Sequence, residues 1–181
     1  MTDKPNDLLL LAGNILTVIM QIFMVIGAAA LFIAAVAIIF AQDMVNAEIA
    51  TEFDGAVGAL PLFPLLGVLA LALACVALIY LFFGKLRAII STVGEGDPFA
   101  PDNADRLNLM AWLLLAVQVI AIPLAGLALF LAKWAEPMDN ADISIDAGLD
   151  VTGILTVIIL FILARVFRHG AAMREDLEGT V

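Results

Sequence analysis

The sequence predicts an all-α membrane protein, with four transmembrane helices in a compact bundle and both ends on the same side. Three observations carry that expectation. Of the 181 residues, 64% are hydrophobic and 14% charged, whereas soluble domains are about half apolar and about a quarter charged. The apolar residues fall into four blocks, about 8–40, 61–83, 107–131 and 151–167, each long enough at about 1.5 Å per residue to cross a core of about 30 Å. Lys and Arg are shared very unequally between the polar segments that join those blocks. The chain therefore reads as one membrane domain over residues 1–181.

The first block, Leu8 to Phe40, exceeds a secretory h-region and is followed by no clean cleavage site, so it reads as a retained helix. Asn14, Thr17 and Gln21 share one face of it, and Ala30, Ala34, Ala37 and Ala41 form a stripe of small residues. An acidic outer loop, 41–60, follows with four carboxylates and no cation. The second block opens on Pro61 and Pro64, which suit a first helical turn, and carries the stripe Gly67, Ala70, Ala74, Ala77. A polar loop, 84–106, contains GEGDP, a turn signal. Asp102 or Asn103 is the expected cap of the third helix, whose stripe is Ala121, Ala125, Ala128, Ala132; Lys133 and Trp134 mark its far interface. A second acidic loop spans 132–150, and the fourth helix, 151–167, leads into the tail 168–181. Stripes of small residues favour close helix packing in lipid. The AALFIA/LALFLA and LFFGKLRAI/ILARVFRHG likenesses suggest two parallel-repeated hairpins.

Orientation follows from the cations. Lys4, Lys85, Arg87, Arg106, Arg165, Arg168 and Arg174 fall on one side and Lys133 alone on the other. Both termini and the central loop are thus expected in the cytoplasm, with the acidic loops outside.

Several function classes are disfavoured. A net charge of −10 argues against direct nucleic-acid binding, which needs basic patches. One histidine, His169, supplies no haem pair and no metal cluster. Cys75, the only cysteine, has no base near it in sequence. Ser91 and Ser144 lack a partner histidine. No catalytic residue, cofactor or metal site is expected, and the chain reads as non-enzymatic. Asp139, Asp142, Asp146 and Asp150 recur at helical spacing, a pattern suited to attracting divalent cations, but the stronger reading is that these acids keep an exposed loop solvated.

Two polar segments look composed rather than merely soluble. The central loop holds GDPF and NADRL, setting Phe99 between two prolines and beside Asp97. The tail, FRHGAAMREDLEGTV, runs from basic to acidic. In these motifs the chain resembles the small bacterial four-pass inner-membrane proteins catalogued as domain of unknown function two-nine-seven-five. Members of that family are commonly encoded beside a short helix-turn-helix regulator of the Xre type. The resemblance implies a bacterial inner-membrane protein that holds such a regulator. The positions that would carry the contact are Gly96, Asp97, Pro98, Phe99, Asn103, Ala104, Arg106, Arg168, Gly170, Arg174, Glu175 and Thr180.

The leading expectation is a membrane anchor or sensor for a small transcriptional regulator, bound through the loop and tail. The alternative is a small transporter or channel component using Asn14, Gln21 and Gln118 inside the bundle. A third reading has the two motifs only bracing the helix ends, and a homo-oligomer stays open.

Overall fold

The computed structural model describes residues 8–53, 58–137 and 150–178. Among them the chain forms four α-helices and no strand: α1 Leu8–Glu52, α2 Leu62–Gly94, α3 Pro101–Ala135 and α4 Val151–Glu178. All four are long and apolar enough to cross a membrane.

Each helix outruns the crossing expected for it. The 45 residues of α1 span roughly 67 Å at about 1.5 Å per residue, against about 30 Å of hydrocarbon. Residues 41–52, expected in a loop, continue α1 because AQDMVNAEIATE contains no Gly or Pro and several strong helix formers. The central loop shrinks likewise: α2 runs on to Gly94 and α3 begins at Pro101, leaving six residues between them.

The end of α2 explains how so short a link turns the chain. Asp97 N–H bonds the Thr92 carbonyl and Gly96 N–H bonds the Val93 carbonyl, both at 3.0 Å. This is the Schellman pattern, which needs a left-handed residue at the position after the cap. Gly96 takes it with φ +86°, at no cost to a residue lacking Cβ. The start of α3 departs from expectation. Neither Asp102 nor Asn103 caps it; Pro101 occupies the first helical position, where a missing N–H costs nothing, and the Asn103 side chain turns inward.

The described chain divides into two compact units. The first comprises Met1–Val25, Leu78–Gln118 and Asp150–Val181; the second comprises Ile26–Ala77 and Val119–Leu149. In the first unit, Asn103, Ala104, Leu107, Met110 and Ala111 form one buried face of α3. Thr17 of α1 and Val157 and Ala164 of α4 are also buried there. In the second unit α2 and α3 approach closely: a Cβ on Gly67 would lie 3.0 Å from Leu127 Cδ1, as the small-residue stripe of α2 predicts. Trp134 Nε1 donates to the Gly58 carbonyl at 3.2 Å, and Asn46 Oδ1 accepts from Leu60 N–H at 2.7 Å.

Much of the apolar surface faces outward. Phe40 and Phe63 are 85% and 87% exposed, and α4 exposes Leu155, Ile158, Ile159, Ile162 and Val166. Water does not tolerate apolar faces of this extent. Lipid does, and the chain is an integral membrane protein.

Candidate functional site: a clasp between the central loop and the tail

The α2–α3 link and the end of α4 meet in the first unit, and the contact is built from the inside out. At its root lies Asn103, wholly buried. Its Nδ2 donates to Thr92 Oγ1 at 2.8 Å and to the Pro98 carbonyl at 3.1 Å, while its Oδ1 accepts from Arg106 Nη1 at 2.9 Å. Arg106 Nη1 also reaches the Ala88 carbonyl at 3.3 Å. One amide thus ties the end of α2, the turn and the start of α3 together. A buried amide is stable only when so satisfied.

That pinned turn presents Asp97 and Phe99 toward α4. Phe167, Gly170, Ala171 and Arg174 follow one another at helical spacing on one face of α4. The Phe99 ring packs against Phe167, tilted by 42° with centroids 5.5 Å apart. It fills the space above Gly170, where an added Cβ would lie 2.7 Å from Phe99 Cδ1 and 2.8 Å from Cε1. Glycine is therefore required at 170 by approach, not by backbone conformation. One helical turn onward, Arg174 Nη1 donates to Asp97 Oδ1. A third tie, Arg168 Nη2 to Asp105 Oδ1 at 3.1 Å, joins α4 to α3.

The clasp is not sealed. Phe99 remains 42% exposed. Beside it opens a cavity of about 290 Å³ lined by Asp97, Phe99, Pro101, Ala171, Arg174 and Glu175. Its chemistry is an aromatic edge, two carboxylates and one guanidinium already turned to Asp97. Among the described residues no cluster of His, Cys, Asp or Glu has metal-binding geometry.

Of the residues expected to bind a partner, Asp97, Phe99, Arg174 and Glu175 line this one cavity, and Arg168 lies on the neighbouring tie. Asn103 and Arg106 stand behind it as the hub that shapes the turn. Thr180 lies outside the described residues. The amides expected inside the bundle are separately placed. Asn14 Oδ1 accepts from Arg87 Nε at 3.1 Å, and Gln21 Nε2 sits 3.4 Å from where a Cβ on Gly84 would be. Their shared face on α1, read from spacing, is thus turned to α2. Gln118 instead donates to the carbonyl of Asp150, at 3.1 Å, and to its carboxylate, at 3.3 Å.

Three contributors were missed by sequence reasoning. Thr92 has no signal apart from its neighbours, and Phe167, though it opens the FRHG motif of the tail, pairs with Phe99 across 68 positions. Asp105 lies inside the NADRL motif, but its partner is 63 residues away, and no local spacing announces such a pair.

No curated protein and no solved structure matches the chain. A family model does, and it takes in all three ties of the clasp along with most of the helices: the model described as "Protein of unknown function (DUF2975)" covers residues 16–181, and the chain belongs to that family.

Proposed function

We propose that this protein is a bacterial inner-membrane anchor or sensor that binds a small helix-turn-helix transcriptional regulator through the clasp. The observation that carries the reading is the convergence of the two distinctive polar motifs, far apart in sequence, on one half-exposed cavity at Asp97, Phe99, Arg174 and Glu175. A half-exposed aromatic held by a rigid turn is a good anchor for a partner.

Charge supports a cytoplasmic position for the clasp. Of the seven Lys and Arg among the described residues, six lie in the unit that contains it and only Lys133 lies in the other, the asymmetry that sets cytoplasmic sides. Both termini are then cytoplasmic. The segments on that side carry nine carboxylates against seven cations. A net-acidic face attracts a basic DNA-binding domain and competes with DNA for it. On this reading the chain performs no catalysis of its own.

The test is gentle solubilisation from the native host, with identification of what co-purifies. The wild type is expected to bring down a small basic DNA-binding protein, lost on Phe99→Ala and on removal of residues 175–181. Equal recovery with both variants, or recovery of the chain alone, would reject the reading and leave the clasp a brace.

A further inference from the structure

A second cavity in the first unit, of about 310 Å³, opens between α2 and α3 and is lined by Lys85, Asp102, Asp105, Arg106 and Leu109. Asp102, Asp105, Arg106 and Leu109 follow one another at helical spacing on one face of α3, and Lys85 joins them from α2. Arg106 is held at the rim by the Ala88 carbonyl, by Asn103 Oδ1 and, at 3.5 Å, by Asp102 Oδ2. Asp105 gives one oxygen to Arg168. Both carboxylates otherwise face outward, with side chains 79% and 80% exposed. Two cations and two carboxylates thus share one open cavity, and their charges balance.

The cavity sits where hydrocarbon begins, and two helices mark that depth independently. On α2 the apolar run ALIYLFF ends at Phe83, two residues before Lys85; on α3 the apolar run begins at Leu107, just past Asp105 and Arg106. On the hydrocarbon side of this level α2 exposes Tyr80 and Leu81, and α3 exposes Leu109 and Trp112. Aromatic residues at such a level are typical of the membrane interface. Trp112 lies one turn from Leu109 on the same face and is braced edge-on by Phe161, with ring centroids 5.5 Å apart. A soluble ion would meet only the polar half of this surface. A lipid meets both halves.

We propose that this cavity binds the headgroup of a membrane phospholipid that carries both a phosphate and a primary ammonium, as phosphatidylethanolamine does. Lys85 and Arg106 donate to the phosphate oxygens, and Asp102 and Asp105 accept from the ammonium, whose three N–H groups suit two carboxylates. A purely anionic headgroup leaves both carboxylates facing like charge, and a quaternary ammonium has no proton to donate. Leu109 and Trp112 line the start of an acyl chain. This inference rests on the membrane character of the chain and on no cytoplasmic partner.

Trp112 reports occupancy directly. After Trp134→Phe it is the only tryptophan of the chain, and a brominated acyl chain quenches its fluorescence only at contact. The full chain is placed in phosphatidylcholine bilayer discs doped with phosphatidylethanolamine, phosphatidylglycerol or phosphatidylcholine brominated in the acyl chains. The ethanolamine lipid is expected to quench at an about tenfold lower mole fraction than the other two, the worth of one charge-assisted hydrogen bond. Lys85→Gln and Asp102→Asn are each expected to abolish that preference, whereas Lys85→Arg keeps it, which separates loss of the site from loss of the fold. Soluble phosphoethanolamine at the same concentration is expected to leave the quenching unchanged. Equal quenching by the three lipids, or quenching by phosphatidylglycerol at least as strong as by phosphatidylethanolamine, would overturn the proposal. So would a preference that survives both neutralising substitutions, since the lipid would then bind elsewhere. Relief of quenching by soluble phosphoethanolamine would overturn it too, because the ligand would then be a soluble compound and not a lipid.

Discussion

Gly170 is the residue on which the clasp most depends for shape. Gly170→Ala places a methyl where the Phe99 ring lies, and overpacking of this kind costs about 1–3 kcal/mol. Lowered thermal stability and faster proteolysis of the tail are expected, both relieved by Phe99→Leu, which vacates the space. Asn103→Leu is expected to cost more than Asp102→Ala. It leaves the Pro98 carbonyl and part of the Arg106 guanidinium unpaired, at about 1–3 kcal/mol per stranded group, whereas Asp102 makes only an exposed 3.5 Å contact. Thermal unfolding in detergent ranks the two. Phe99, Asp97 and Arg174 were legible in sequence because a large apolar residue between prolines and a charge-patterned tail are unusual beside lipid-facing helices. The inward turn of Asn103 was not legible. Its residue type and position suit a cap equally well, and only the nearness of Thr92 and the Pro98 carbonyl decides between the roles.

The elements held in the clasp are joined by ion pairs that are individually weak. Arg174 and Asp97 have side chains 50% and 40% exposed, and exposed pairs contribute about 0.2–1 kcal/mol. A double-mutant cycle on Arg174→Ala and Asp97→Ala is expected to give a coupling in that range that shrinks as salt is raised. Loss of the pair alone should loosen the tail without unfolding the chain. At the other end of α4, Gly153→Leu is expected to push Gln118 away from Asp150 and destabilise the α3–α4 contact, whereas Gly27→Ala, which meets nothing within 4 Å, is expected to be neutral. Thermal unfolding of both compares them directly. Apolar runs announced four helices but not their lengths. Hydropathy marks where lipid begins and ends, while helix termini are set by backbone chemistry. Thus α1 runs through Asp43 and Glu48 to Glu52, and α2 stops only where Gly96 permits a left-handed turn.

Across the whole molecule, the membrane character was plain from composition, because no water-soluble fold hides this much apolar surface. The convergence of loop and tail was hidden, since residues 97 and 174 are 77 positions apart and meet only once the helices are folded. The central claim is that this junction engages a cytoplasmic DNA-binding partner. Photo-crosslinking in the native host, from an amino acid placed at Pro101 on the exposed rim of the cavity, tests it most directly. The account predicts a crosslink to a small basic DNA-binding protein, lost on Phe99→Ala. Crosslinks confined to lipid, to the chain's own tail or to a second copy of the chain would contradict it.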